Sequence, residues 1–255
     1  MTAAAPAVLI LGGTSEARSL ASRLAARPGL RVISSLAGRV RDPALPAGEV
    51  RIGGFGGAGN LAAWLTDQHI SAVVDATHPF AEGISASAAA AADRTGVPLL
   101  RVVRPPWLPG DGDAWHPAAS LAEAATMLPG LGDRVFLTTG RQGLATFASL
   151  RQPWFLIRCV DPPAGPMPPR CRVILARGPY NADAERALMR RHRIGVLVTK
   201  NSGGELTAGK LAAARDLGIA VVMVARPVLA AAPECSCADD AESWLLRRLH
   251  RSAGA

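Results

Sequence analysis

Short aliphatic runs and longer alanine- and leucine-rich runs alternate along most of this 255-residue chain. Runs of β-branched and aliphatic residues at 7–11, 30–35, 49–52, 72–75 and 98–103 predict strands. Stretches with helical spacing at 15–26, 60–69 and 82–94 predict the helices between them. Strand alternating with helix is the signature of a parallel sheet covered on both faces. Right-handed crossovers then place the loops that follow the strands on one edge of that sheet.

The rhythm breaks at Arg104-Pro105-Pro106-Trp107-Leu108-Pro109-Gly110-Asp111-Gly112-Asp113, whose prolines and glycines make a linker. It resumes with a helix at 118–128, a strand at 134–138, a helix at 143–150 and strands at 154–160 and 172–176. A helix at 182–192, a strand at 195–199, a helix at 206–217, a strand at 219–224 and a closing helix at 239–249 follow. The segment 161–170, with five prolines, reads as a loop. The pattern predicts an α/β protein of two domains with mainly parallel sheets, residues 1–104 and 112–255. They are hinged within 104–117, with the ligand cleft between them.

Composition narrows the partners. Hydrophobic residues make up 49% of the chain and aromatics 4%, so the core is built mainly from Ala, Val and Leu. The formal net charge is +8, and of the 28 basic residues all but Lys200 and Lys210 are arginine. The arginines are scattered over helices and strand ends, and the few aromatics, with Tyr180 the one tyrosine, offer no stacking platform for bases. An anionic small molecule or cofactor is therefore the expected partner, and nucleic acid is not. Cys235 and Cys237 form a lone C-x-C, while Cys159 and Cys171 flank the proline-rich loop. Neither is a zinc spacing, so reduced thiols and no metal site are expected. The run at 1–11 lacks a basic start and leads directly into a glycine turn, which reads as a first strand and not as a signal peptide. No apolar stretch approaches the roughly 20 residues that span a bilayer, so a cytoplasmic protein without membrane contact is expected.

Six strand ends carry candidate chemistry. In Val8-Leu9-Ile10-Leu11-Gly12-Gly13-Thr14-Ser15-Glu16 a buried strand enters a Gly-Gly turn and then a capped helix. Such a turn lets backbone approach a phosphate, and the helix start adds N–H groups and partial positive charge. The second strand ends in Ser34-Ser35-Leu36-Ala37-Gly38-Arg39, with no acid before Asp42. Hydroxyls and a guanidinium suit a 2′-phosphate where a carboxylate would suit a free ribose, so Ser35 and Arg39 favour NADPH over NADH. Val73-Val74-Asp75-Ala76-Thr77-His78-Pro79 puts Thr77 and His78 at another strand end. In the second half, Thr138-Thr139-Gly140-Arg141, Arg177-Gly178-Pro179-Tyr180 and Thr199-Lys200-Asn201-Ser202 repeat the design. Lysine at such an end, in a chain that prefers arginine, points to chemistry needing a compact cation that can release a proton.

The strings Gly12-Gly13-Thr14-Ser15-Glu16-Ala17-Arg18, Asp75-Ala76-Thr77-His78-Pro79-Phe80-Ala81, Thr139-Gly140 and Thr199-Lys200-Asn201-Ser202-Gly203 together resemble the precorrin-6A reductases of cobalamin biosynthesis. The similarity runs in order through almost the whole chain, ending at Val224-Ala225-Arg226-Pro227. One departure is Gly53-Gly54-Phe55-Gly56-Gly57, where that family more often has a glycine, an arginine and a bulky apolar residue; no role is carried onto this loop. The resemblance implies two Rossmann-like domains and an NADPH-dependent enzyme, monomer or homodimer, that reduces the macrocycle precorrin-6A to precorrin-6B. Gly12, Gly13, Thr14 and Ser15 would hold the pyrophosphate, with Ser35 and Arg39 on the 2′-phosphate. Thr77, His78, Thr139 and Gly140 would line the nicotinamide end. Arg141, Tyr180, Lys200, Asn201 and Ser202 would grip the anionic tetrapyrrole, with Lys200 and His78 the candidate proton donors. Two other readings are an NADP-sensing protein without catalysis and a transferase using a nucleotide-bearing donor such as S-adenosylmethionine.

Overall fold

A computed structural model of the chain describes residues 5–38 and 44–253. The chain folds into two compact units: Met1–Arg104 together with Pro227–Ala255, and Pro105–Arg226.

The first unit is a six-stranded parallel sheet. Its strands are β1 (Ala7–Leu11), β2 (Arg31–Leu36), β3 (Glu49–Ile52), β4 (Ile70–Asp75), β5 (Leu99–Val102) and β12 (Glu234–Cys235), in the spatial order β12-β5-β4-β1-β2-β3. All five residues of β1 are buried, as a strand covered on both faces requires. Helix α1 (Ser15–Ala25) and the C-terminal α7 (Ala238–Ala253) cover one face, where Leu20, Leu24, Ala241 and Leu245 pack on Val8, Ile10 and Val74. Helices α2 (Ala58–Asp67) and α3 (Glu82–Thr95) cover the other, over Leu9, Leu11, Ile33 and Val73. Helix α3 is alanine-rich and stops at Gly96, which takes the left-handed conformation that glycine adopts at no steric cost.

The second unit repeats the plan. Its strands are β6 (Trp115–Ala118), β7 (Arg134–Leu137), β8 (Trp154–Cys159), β9 (Cys171–Leu175), β10 (Val196–Lys200) and β11 (Ala220–Val224), all parallel in the order β6-β11-β10-β7-β8-β9. Helix α4 (Leu121–Leu131) is capped by Ser120, which accepts from the Glu123 amide, while Glu123 accepts from the Ala119 amide. Helices α5 (Ala182–Arg191) and α6 (Gly209–Asp216) bury Met189, Leu211 and Ala214 against Phe136, Leu197 and Val221.

In each sheet the first three strands run outward one way and the next two the other, so the order reverses between β1 and β4, and again between β7 and β10. The sixth position of each sheet is filled by a segment next to a unit boundary: β12, after the second unit, joins the first sheet, and β6, after the linker, joins the second.

That exchange corrects the expected boundary: residues 227–255 belong with the first unit, not with 112–226. The cause is the pairing of Glu234 and Cys235 with Arg101 and Val102, and the burial of α7 against α1. Residues 115–118 form an edge strand, not linker and helix start. An edge position tolerates Pro117, which hides the strand from a propensity reading. The helix expected at 143–150 is a single 3-10 turn at Leu144–Phe147. Among the described residues no helix is long and apolar enough to cross a membrane.

Leu245 is fully buried beneath α1 although it lies about 140 residues beyond Arg104 along the chain. Leu245→Ala is expected to lower the stability of the first unit by about 3 kcal/mol in chemical unfolding. A loss under about 1 kcal/mol would contradict the placement of α7 in that core.

Candidate functional site

At the reversal point of the first sheet, the turn after β1 and the loop after β4 lie side by side. The Gly12 amide donates to the Ser35 carbonyl at 3.0 Å, and the Ala76 amide donates to the Leu11 carbonyl at 3.0 Å. Gly13 has φ +118°, a conformation that side chains rarely adopt, and among the described residues nothing lies within 4 Å of where a Cβ would stand. Thr14 is buried. Its hydroxyl accepts from the Ala17 amide at 3.2 Å, capping α1, and donates to the Ala76 carbonyl at 2.7 Å. Thr14 therefore shapes the turn, and its own hydroxyl is already committed.

Asp75 shapes the neighbouring loop. One carboxylate oxygen accepts from the Thr77 amide at 3.1 Å and from its hydroxyl at 2.6 Å, and the other lies 3.6 Å from Arg101 Nε. The Asp75 and Arg101 side chains are both buried, and Arg101 also meets Glu234 of β12 at 3.1 Å. The strand borrowed from the C-terminal segment thus supports the arginine behind Thr77. His78 is exposed, and its Nδ1 accepts from the Phe80 amide at 3.2 Å, which leaves the proton of the neutral ring on Nε2.

The second strand end is only partly as expected. Ser35 is buried, and its carbonyl anchors the glycine turn. Arg39 lies outside the described residues. The cation found beside Ser35 is Arg51 of β3, whose Nη1 is 3.5 Å from the Ser35 hydroxyl. Nothing in the sequence announced it, because the pairing of Ser35 with Arg51 depends on the register of β2 against β3.

The second unit has an equivalent reversal point. The Thr138 amide and hydroxyl both donate to the Val198 carbonyl, at 3.0 and 3.1 Å, joining the ends of β7 and β10. Thr139 is buried and its hydroxyl has no hydrogen-bond partner among the described residues, while Gly140 takes φ +78°. Arg141 lines a cavity of about 230 Å³ with Gly143, Leu144 and the proline-rich loop residues Pro163 and Pro166. Lys200 is the half-buried last residue of β10 and Ser202 is buried in the loop beyond it.

Asn201 and Tyr180, both expected as substrate ligands, are held by contacts within the second unit. Asn201 accepts from the Trp107 amide at 2.8 Å and donates to the Trp107 carbonyl at 3.1 Å, pinning the linker to the end of β10. Gly203, at φ +66°, lets Pro105 come close, because a Cβ there would collide with the Pro105 carbonyl. Tyr180 donates to the Ala176 carbonyl at 2.8 Å, and its ring carries the Arg158 guanidinium at 3.7 Å. Arg158 in turn forms a buried pair with Glu185. The other lysine, Lys210, is buried, donates to the Thr207 carbonyl at 2.8 Å and lies over the Trp107 ring.

The electrostatics select among possible chemistries. Burial pushes the Cys159 thiol up and raises Cys235 to about 11, so neither is an ionised nucleophile at neutral pH. Glu16 stands in the first turn of α1. Burial raises its carboxyl, but its own backbone N–H, Arg104 and Ser15 outweigh this and hold it below the ordinary value of 4.5. Arg104 offsets its charge at 3.2 Å beside the phosphate-type turn. The open Gly13 position, the start of α1 and the acid-free strand end at Ser35 fit the phosphates of a nucleotide.

A carboxyl with a depressed folded pKa contributes stability above its unfolded pKa and loses it as the pH falls through the folded value. Glu16→Gln is therefore expected to cost about 1 kcal/mol near neutral pH. The deficit should shrink once the pH drops below 4.5. Unfolding curves of the two proteins across that range check this, and a deficit that stays constant would refute it.

A family model described as precorrin-6x reductase CbiJ/CobK matches residues 7–246 of the chain. A precorrin-6A reductase of Rhodococcus erythropolis is 59% identical over 227 residues, 89% of this chain and 92% of that protein. One from Mycobacterium tuberculosis (strain CDC 1551 / Oshkosh) is 54% identical over 226 residues, 88% and 90% of the two chains. The solved structure of a CobK precorrin-6A reductase matches with a TM-score of 0.90 at 41% identity, covering 95% of this chain and 97% of that one. The two doubly wound sheets and their motifs are thus those of a reductase family: the chain belongs to the precorrin-6x reductases, CbiJ/CobK.

Proposed function

We propose that this chain reduces precorrin-6A to precorrin-6B in cobalamin biosynthesis with NADPH as reductant. The observation that carries this reading is the reversal point of the first sheet. There the Gly12-Gly13 turn, the capped start of α1 and the loop of Thr77 and His78 meet on one edge. In open α/β sheets this is where dinucleotides bind. The turn at Gly12 and Gly13, with the backbone of Thr14 and Ser15, holds the pyrophosphate, and Ser35 lies toward the adenosine ribose. Thr77 and His78 orient the nicotinamide end. His78 donates from Nε2, since its Nδ1 is already an acceptor. When bound, NADPH supplies the hydride equivalent, and the protein supplies orientation, electrostatics and the proton.

Arg141, Lys200 and Ser202 bring cations and a donor to the strand ends of the second unit. The acetate and propionate groups of the macrocycle are their complement. Asn201 and Tyr180 act behind them: Asn201 fixes the loop after Lys200, and Tyr180 covers the buried Arg158–Glu185 pair. Lys200 donates the proton that accompanies reduction of the double bond, a role open to an ammonium and closed to a guanidinium.

Two measurements test this reading. Under anaerobic conditions, NADPH and precorrin-6A with the protein should show loss of nicotinamide absorbance matched by a product carrying one added hydride and one added proton. No loss of absorbance would leave a nucleotide-sensing protein instead. Lys200→Met should slow single-turnover reduction at saturating substrate by about 10²–10⁴-fold. An unchanged rate with a raised KM would make Lys200 a carboxylate anchor and remove it as the acid.

A further inference from the structure

Arg51 stands apart from its neighbours in the first unit. Arg31 is paired with Glu49, Arg101 with Asp75 and Glu234, and Arg104 with Glu16. Arg51 instead donates to the Gly53 carbonyl at 2.5 Å and the Gly54 carbonyl at 2.9 Å, and its Nη1 is 3.5 Å from the Ser35 hydroxyl. Its guanidinium lies 3.8 Å over the Phe55 ring, and Phe55 is braced edge-on by Trp64 at 5.4 Å. Among the described residues none of these partners is a carboxylate. Carbonyl dipoles and a ring face orient a guanidinium without neutralising it. The side chain is half-buried, so its full charge is held in a fixed plane within reach of solvent.

Its position is specific. Arg51 is in register with Ser35, the residue whose carbonyl receives the Gly12 amide. The Gly53 amide donates to the Leu36 carbonyl at 2.8 Å, tying the loop after β3 to the end of β2. Among the described residues nothing comes within 4 Å of where a Cβ would stand at Gly53, Gly54, Gly57 or Gly13. The glycine turn, the end of β2 and the Arg51 loop therefore form one backbone-lined edge with an aromatic-backed cation at its outer end. In a doubly wound fold the groups on the adenosine ribose lie at the end of the second strand.

We infer that Arg51, held on Phe55 and aimed beside Ser35, is the specificity-determining residue that reads the ribose 2′-phosphate of the cofactor. This rests on the reading that the first unit binds NADPH. A planar guanidinium with two of its donors facing a phosphate forms charge-assisted bonds that a free 2′-hydroxyl cannot match. Phe55 is a positioning residue, because it acts through the guanidinium it carries.

The test is calorimetric titration of the full-length protein and of Arg51→Gln, Arg51→Lys and Arg39→Gln with NADPH, NADH and the fragment 2′,5′-ADP. Arg51→Gln is expected to weaken NADPH and 2′,5′-ADP about 10- to 100-fold. Its affinity for NADH should stay within about threefold of wild type, since NADH brings no 2′ charge to the edge, and this binding also reports that the variant is folded. Arg51→Lys should recover part of the loss, because it keeps the charge without the fork. Equal weakening of NADPH and NADH by Arg51→Gln would make Arg51 structural and overturn the inference. So would unchanged NADPH selectivity in Arg51→Gln together with its loss in Arg39→Gln. Failure of the wild-type protein to bind either dinucleotide would instead overturn the cofactor reading, and this inference with it.

Discussion

The Thr14 hydroxyl bridges the one place in the first sheet where neighbouring strands send their chains in opposite directions. By donating to the Ala76 carbonyl and accepting from the Ala17 amide, it sets the start of α1, the path of the glycine turn and the loop after β4 at once. A sheet whose order reverses between β1 and β4 opens a crevice at the carboxyl ends of those strands. Together with the bond from the Ala76 amide to the Leu11 carbonyl, the Thr14 hydroxyl fixes the spacing of the two loops that border the crevice. Its burial keeps water from competing for either bond. The Asp75 carboxylate makes the second tie by fixing Thr77, and it rests on Arg101 and so on the strand contributed by the C-terminal segment.

The second unit solves the same problem with a different threonine. Thr138 donates twice to the Val198 carbonyl and so joins β7 to β10 at the corresponding reversal. The groups presented beyond that tie differ between the two sheets. The first edge offers glycines, hydroxyls and a helix start, which suit phosphates. The second offers Arg141, Lys200 and Ser202, which suit carboxylates. Asn201 and Gly203 let Trp107 and Pro105 pack at the end of β10, so the polar loop after Lys200 is held from behind by the linker.

Much of this was legible in the sequence, for a physical reason. Parallel strands buried on both faces read as continuous apolar runs, so β1, β4, β7 and β10 declared themselves, each followed by polar residues. Elements decided by distant pairing did not. β12 is two residues long and exists because β5 offers it an edge, and β6 contains a proline that only an edge position tolerates. Arg51 was invisible for a related reason: its nearness to Ser35 is a matter of strand register, and its hold on Phe55 a matter of a glycine loop that no short motif describes. Asn201 looked like a ligand from its position beyond Lys200, whereas the linker claims both ends of its amide.

The proposed dinucleotide site is the reversal point of the first sheet. Hydrogen–deuterium exchange of the full chain with and without saturating NADPH tests it most directly, because bound phosphates and nicotinamide slow exchange of the amides they cover. Exchange is expected to slow in peptides spanning residues 12–18 and 75–81. Protection confined to peptides over 138–143 and 199–204, with 12–18 unchanged while NADPH is bound, would contradict it.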